Sequence, residues 1–177
     1  VSHGDFRAGE MEELPYANQT FDIVTGFNSF QFAASPVNAL KEARRVSRTG
    51  ASLVAVLGKP EDTEAAAYFA ALGSLLPPPP PGTPGPFALS HDGALEALVT
   101  QAGMNPGKVE EVDCLWEYPD EMTLLRGLLS SAPAIRAIQH TGEAEVRDAI
   151  LKNIAPFKTA SGGYKFRNKA RYMIAKV

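Results

Sequence analysis

Ala8–Phe32 reads AGEMEELPYANQTFDIVTGFNSFQF, and the order of residue types in this stretch decides the reading of the chain. Two carboxylates and a methionine precede the step Leu14-Pro15. Asn18-Gln19-Thr20 is a polar turn. FDIVTGF, residues 21–27, is a short apolar run rich in β-formers, as expected of a strand buried on both faces. Upstream, Asp5–Ala8 reads as the end of another strand.

Working outward, Ser35-Pro36 pairs an N-cap residue with proline at the first helical position. VNALKEARRVSRT, residues 37–49, follows as a helix, with Val37, Leu40, Ala43 and Val46 at helical spacing. Arg44, Arg45 and Arg48 gather near its C-terminal end, where the helix dipole favours cations, and Gly50 is placed as its C′ residue. SLVAVL, residues 52–57, is a second apolar strand. Strand, helix, strand implies a parallel pair joined by a right-handed crossover.

Farther on, an Ala-rich helix is expected over Asp62–Leu76. It stops at PPPPPGTPGP, residues 77–86, where consecutive prolines favour polyproline II. Such a run serves either as a ligand for a proline-recognition domain or as a stiff connector or lid; the ordered elements on both sides favour the connector. Ser90 caps a helix over residues 91–102 that Gly103 closes, and KVEEVDCLWEY is a strand. Asp120 caps a helix over residues 121–132 and Thr141 one over residues 142–155. GYKFRNKARYMIAKV is a terminal strand in which Lys165, Arg167, Lys169 and Arg171 alternate with Tyr164, Phe166, Asn168 and Ala170. Period two gives it one basic side, which either faces acidic residues and solvent or binds phosphate. The pattern is α/β, and without a long linker residues 1–177 read as one domain.

The bulk properties narrow the function. At 177 residues, 45% apolar and 21% charged, the chain has the composition of an ordinary globular protein. The net charge of −3 disfavours non-specific nucleic-acid binding, so the negative balance also favours the solvated reading of the basic strand. Its one cysteine, Cys114, has no internal disulfide partner, which fits a reducing cytoplasm, and reads as a small buried hydrophobe. No apolar run reaches the length of a membrane span, and no signal peptide is present. His3, His91 and His140 lack ligand spacing, so no metal site is expected. There is no G-x-S-x-G elbow, Walker loop or G-x-G-x-x-G. Chemistry that needs little acid–base apparatus suits this set.

GEMEELPYANQTFDIV, then a helix carrying ALKEARRVSRTG, then ASLVAVL, resembles the class I S-adenosylmethionine-dependent methyltransferases, and among them the ubiquinone/menaquinone-biosynthesis group. Their pattern is an acid-containing GD-small-acid-x-LP, a turn, FD-apolar-V, a helix with E-x-x-R-V, a Gly turn and a strand. Here it is met by Gly9-Glu10-Met11-Glu12, Leu14-Pro15, Phe21-Asp22-Ile23-Val24, Leu40, Glu42, Arg45-Val46 and Gly50. The resemblance covers about Asp5–Gly58, and the tail from FALSHDGALEALVTQAGM to FRNKARYMIAKV is similar to the family's last helix and terminal antiparallel hairpin. Glu10 stands for the usual Asp and Ala51 for the usual second Gly. The family's glycine-rich first loop is expected upstream of Val1, as in a fragment or processed product.

The resemblance implies a Rossmann-like sheet of order 3-2-1-4-5-7-6, incomplete in its N-terminal half, with strands 3 to 7 in this chain. FDIVTGF would then be an exposed edge that seeks a partner strand, by homodimerisation, by a strand swap or from upstream residues. It also implies S-adenosylmethionine as cofactor. Glu10 would accept a hydrogen bond from the adenine amino group, and the Met11 N–H would face a ring nitrogen. Gly26, Phe27 and Asn28 would sit at the carboxyl end of the strand, where open α/β sheets bind ligands. Gln31 would border the methionine part and the acceptor. Asp22 reads as ordering the strand start, and Tyr16 as either a cofactor wall or packing.

The implied reaction is direct displacement onto a small-molecule acceptor, with alignment and water exclusion as the protein's contribution. If a base is needed, His91 and Tyr68 have the right type. Asp62–Leu89, with Tyr68, Phe69 and Leu72, would shape or cover the acceptor pocket. Two rivals are a non-catalytic Rossmann-like interaction module and, less compatible with the LPYANQTFDIV spacing, a nicotinamide reductase.

Overall fold

The structure, a computed structural model, describes residues 4–77 and 87–177. Strand, helix and strand form where their signals lie. β1 (Phe21–Phe27) and β2 (Ser47–Thr63) run parallel, paired from Ile23 with Ser52 to Phe27 with Val56, and α1 (Pro36–Val46) connects them. Ser35 caps α1, its hydroxyl accepting the Asn38 N–H at 3.4 Å, with proline at the first helical position. Ala39, Leu40, Ala43 and Val46 form the buried stripe.

The end of α1 differs from the expectation. The helix stops at Val46, and Ser47 opens β2 with its hydroxyl bonded back to the Ala43 carbonyl at 2.7 Å. Gly50 is therefore not a helix C′ residue. It lies in the irregularity between the pairs Phe21–Ser47 and Ile23–Ser52, at φ +81°, a conformation glycine adopts without strain. There the Gly50 N–H donates to the Val177 carbonyl at 2.9 Å, and the Val177 N–H donates to the Ala51 carbonyl at 3.2 Å. The glycine turns the new strand toward the C-terminus instead of ending the old helix.

The sheet has four strands in the order β1-β2-β4-β3, with β3 at Val109–Tyr118 and β4 at Tyr164–Lys176. Asp5–Ala8 is irregular, and among the described residues the segment ahead of β1 contributes no strand, only an isolated bridge between Glu10 and Glu13. β1 is at an edge. It is not buried on both faces: Gly26 is buried and Val24 packs on the core, whereas Ile23 and Phe27, four residues apart on the opposite face, are each 64% exposed.

The chain forms two compact units. The first comprises Val1–Gly58, Pro84–Val112 and Ala170–Val177. Its core gathers Leu40, Leu95, Val99, Met104 and Met173, with α1 packed on α3 (Ala94–Gln101). The second comprises Lys59–Thr83 and Asp113–Lys169. Its core is α2 (Ala66–Gly73), α4 (Glu121–Leu129), α5 (Ala132–Thr141) and α6 (Glu143–Ile154) around Leu124, Ile150, Ile154 and Phe166.

Several boundaries shift. The expected helix over Asp62–Leu76 is α2, eight residues long, because β2 continues to Thr63. Of the proline-rich lid at 77–86, residues 78–86 lie outside the described residues. Ser90 ends a 3-10 turn and does not cap α3, whose N-cap is Gly93 at φ +79°. Gly103 does close α3, its N–H donating to the Thr100 carbonyl at 2.9 Å. Asp120 caps α4 through the Thr123 N–H at 2.7 Å. Thr141 caps nothing: its hydroxyl donates back to the Ala137 carbonyl, and Gly142 opens α6. β3 and β4 are neighbours in the sheet but not a hairpin, since α4, α5 and α6 lie between them in sequence. α5 itself carries a missed signal, the cap Ser131 with a proline in the first turn. Cys114 is exposed rather than buried.

The basic side of β4 faces acids. Lys165 meets Glu117 at 2.7 Å, and Arg171 meets Asp92 at 2.8 Å and Glu111 at 3.0 Å. Among the described residues no helix is long and apolar enough to cross a membrane.

Phe166 is 1% exposed and packs against Trp116, Tyr118 and Phe157. Phe166→Ala should destabilise the second unit by about 3–5 kcal/mol, read as a lowered urea midpoint in the far-UV signal.

Candidate functional site

The acidic turn and the LPYAN segment owe their path to α1. Arg45, the next-to-last residue of the helix, forms a two-pronged pair with Glu42, Nε to Oε1 at 2.7 Å and Nη2 to Oε2 at 2.8 Å. The same guanidinium donates to the Tyr16 carbonyl at 2.8 Å, the Asn18 side-chain oxygen at 2.9 Å and the Leu14 carbonyl at 3.0 Å. Glu42 in turn accepts the Leu14 N–H at 2.9 Å. At the other end of α1, Glu12 Oε1 accepts the Ser35 N–H at 2.8 Å, and Oε2 accepts from the Asn38 side chain at 3.4 Å. The Gln19 and Thr20 N–H groups donate to the Arg45 and Val46 carbonyls. Residues 12–20 are thus strapped along the helix from one end to the other. The contact with Arg45 holds the Glu42 carboxyl below the usual carboxylate range, burial opposing, with the Leu14 N–H adding to the lowering.

The six candidate cofactor residues all fall in the first unit. Glu10 is exposed, and its carbonyl accepts the Glu13 N–H at 3.1 Å to close the turn. Met11 is half-buried against the core that contains Phe30. Gly26 is buried: a Cβ there would lie 2.6 Å from Cδ2 and 2.7 Å from Cζ of the Phe30 ring. Phe27 is exposed at the carboxyl end of β1. Asn28 turns the chain at φ +47°, a left-handed conformation in which asparagine is enriched. Gln31 lies on the 3-10 turn Phe30–Phe32, 8% exposed, with its Oε1 buried and without a partner among the described residues. An orphaned buried acceptor is uncommon and costly. The structure therefore brings the acidic turn and the end of β1 to one end of α1.

Other candidates have structural roles. Asp22 pairs with Arg48 at 2.7 Å at the start of β1. Tyr16 stacks edge-on to Phe21 at 4.9 Å with Arg7 over its ring, so it packs. Tyr68, a candidate base, is 3% exposed in the core of the second unit. Its hydroxyl donates to the Leu128 carbonyl at 2.9 Å and meets Ser131, and burial pushes its pKa up, which is unfavourable for a base. Leu72 packs in the same core, with Phe69 against it. His91 is exposed and lines a cavity of about 280 Å³ with Asp92, Glu96, Glu111 and Arg171, none of them among the six. No group of three metal-ligating side chains exists among the described residues.

Residues 2–55 match the profile of a family described as a methyltransferase domain. Solved structures extend the likeness to nearly the whole chain. A presumptive methyltransferase of Bacillus halodurans C-125 is 16% identical with a TM-score of 0.51, over 95% of this chain and 75% of that one. The YcgJ protein of Bacillus subtilis is 16% identical with a TM-score of 0.49, over 97% and 70%. An S-adenosylmethionine-dependent methyltransferase of Thermotoga maritima is 14% identical with a TM-score of 0.47, over 96% and 62%. The fold is that of a Rossmann-like methyltransferase, and the first of the three carries that conclusion. The profile ends inside β2, so its match contains the acidic turn, β1 and α1, the segments on which all six candidate residues lie or pack. No curated protein matches the chain.

Sequence reasoning named Glu12, Glu42 and Arg45 as parts of a pattern but gave them no contacts. The usable signal was a glutamate and an arginine three residues apart on a helix with the apolar stripe elsewhere.

Two outcomes test this geometry. Gly26→Ala should cost about 1–3 kcal/mol through overpacking on Phe30, measured by chemical denaturation. The folded Glu42 carboxyl titrates below its unfolded value, so its contribution is complete above the usual carboxylate range and is lost as pH falls through the lower folded value. Calorimetric melting between pH 7 and pH 3 should show a steeper loss of Tm in the wild type than in Glu42→Gln; parallel curves would contradict the pairing.

Proposed function

We propose that the protein transfers a methyl group from S-adenosylmethionine to a small-molecule acceptor by direct displacement, as a cytoplasmic enzyme of the ubiquinone/menaquinone-biosynthesis type. The observation that carries this reading is the strapping of the Glu10–Met11 turn beside the carboxyl end of β1, the place where parallel sheets take their ligands. Under this reading β1, β2, β4 and β3 correspond to strands 4, 5, 7 and 6 of the order 3-2-1-4-5-7-6.

The residues present fit the cofactor. Glu10 offers an exposed carboxylate to the adenine amino group, and the adjacent Met11 N–H suits a ring nitrogen. Gly26 leaves room for the Phe30 ring against the end of the strand, which fixes the 3-10 turn that carries Gln31. Phe27, on the opposite face of the strand, and Asn28, which turns the chain, would border the ligand from the strand end. The unpartnered Gln31 carbonyl supplies an acceptor toward the methionine part and the incoming substrate. When bound, S-adenosylmethionine supplies a methyl carbon already electrophilic on its sulfonium. The chain's part is to orient the acceptor and keep water out, a contribution of about 7–11 kcal/mol in favourable cases. No base is assigned: Tyr68 is committed to its core, and His91 lies apart from the six residues.

A second reading, a non-catalytic Rossmann-like interaction module, draws on one observation. β1 is an edge strand with Ile23 and Phe27 each 64% exposed, and such an edge accepts another strand, from a second copy by dimerisation or swapping. Binding separates the two readings. Titration calorimetry of the full-length protein with S-adenosylhomocysteine should give a saturable isotherm. Glu10→Ala should weaken it by the worth of a hydrogen bond to a charged group, about 1.5–3 kcal/mol, or about 10- to 100-fold in Kd. A flat isotherm together with concentration-dependent association would favour the module.

A further inference from the structure

The two segments of the proposed cofactor site are remote in sequence, Glu10–Met11 on one side and Gly26–Gln31 on the other. Among the described residues, the hydrogen bonds that join residues 10–13 to residues 26–38 come from one side chain, Glu12: Oε1 to the Ser35 N–H at 2.8 Å and Oε2 to the Asn38 amide at 3.4 Å. Ser35 is the N-cap of α1 and stands three residues beyond the 3-10 turn that carries Gln31. In a capping box, a Glu or Gln at the third helical position satisfies the N-cap N–H. Here that position is Asn38, whose side chain points to Glu12 instead. The chain supplies the missing carboxylate from outside the helix, where the positive end of the helix dipole also favours it.

We propose that Glu12 is a positioning residue for cofactor binding: it touches no ligand, and its carboxylate fixes the distance between the adenine-facing turn and the segment at the end of β1. The inference rests on the methyltransferase reading above. Glu12 is one residue from Met11 and two from Glu10, so a shift of its carboxylate is transmitted directly to both. The other half of the strap, Arg45 with Glu42, begins at Leu14 and can hold the LPYAN segment while leaving residues 10–12 free to swing. Glu12 thus acts at the one point where the turn meets the N-terminus of α1.

The experiment compares full-length wild type, Glu12→Ala and Glu12→Gln. Glutamine keeps an oxygen able to accept the Ser35 N–H and should bind S-adenosylhomocysteine within about threefold of wild type. Alanine should weaken binding about tenfold. Once an acceptor is in hand, it should raise KM for S-adenosylmethionine by a similar factor, with kcat at saturation within about threefold. A role confined to stability would lower Tm and leave Kd unchanged, and that result overturns the proposal. If circular dichroism shows Glu12→Ala unfolded, Glu12→Asp replaces it: the charge is kept, the reach is one methylene shorter, and wild-type affinity there overturns the proposal equally. A flat wild-type isotherm removes the methyltransferase reading and this inference together, whereas a normal wild-type isotherm with an unaltered Glu12→Ala removes this inference alone.

Discussion

The first unit depends on one guanidinium. Residues 14–18 have no regular secondary structure, so their carbonyls must find donors elsewhere. Arg45 offers five N–H groups in a fixed plane, always charged. Glu42 takes two of them and holds the plane; Leu14, Tyr16 and Asn18 take the rest of the bonding. An exposed ion pair alone is worth little. This one differs because one charge pair organises two backbone carbonyls, one side-chain oxygen and one backbone N–H, and because both partners are largely covered, at 32% and 18% side-chain exposure. Lysine could pair with Glu42 but could not present the same fork.

From that fixed point the geometry propagates. α1 buries Ala39, Leu40 and Ala43 against α3 and the sheet residues Met173 and Ala175, so it is held from the inside by packing and decorated on the outside by the strap. Small residues at 39 and 43 let neighbours approach closely. The loop that the helix carries is therefore as fixed as the helix, although it has little core of its own. Under the proposed reading, an irregular segment thereby presents Glu10 and Met11 with the constancy that ligand recognition requires.

The same division explains what could be read from sequence. β1, α1, β3 and β4 were legible because each carries its own local signal: an apolar run, a Ser-Pro cap, a period of two. The errors lie where one residue type serves two purposes. Gly50 reads as a helix terminator, but its φ of +81° is used inside a strand irregularity. Ser90 and Thr141 read as caps, yet the chain turns into α3 and α6 on Gly93 and Gly142, both at positive φ. α5 has no place in the sequence reading because the helix expected over residues 121–132 runs through Ser131, which caps α5. FDIVTGF was expected to be covered on both faces, and Ile23 and Phe27 are not. In the candidate site, the motif singles out Glu10 and Met11 as the residues proposed to meet the cofactor; the bonds of Glu12 and Arg45 span 23 to 31 residues and have no local signature.

The distribution of perturbed groups bears on the chemistry. Perturbed pKa values gather where a protein moves protons. Among the described residues the lowered carboxyls are Glu42, held by Arg45, and Asp120, held by the Thr123 N–H at a helix cap. The raised hydroxyls of Tyr68 and Tyr118 follow from burial in the second core, and that of Tyr172 from its bond to Glu110. Each of these shifts has a structural cause in pairing, capping or burial away from the end of β1. What is unusual at that end is different in kind: a glycine that cannot gain a methyl without displacing a ring, a left-handed asparagine, and a buried amide oxygen with nothing to accept. Under the proposed reading these features serve to hold a ligand in place. The electrophile of that proposed reaction arrives already activated, so it would ask for little more from the side chains.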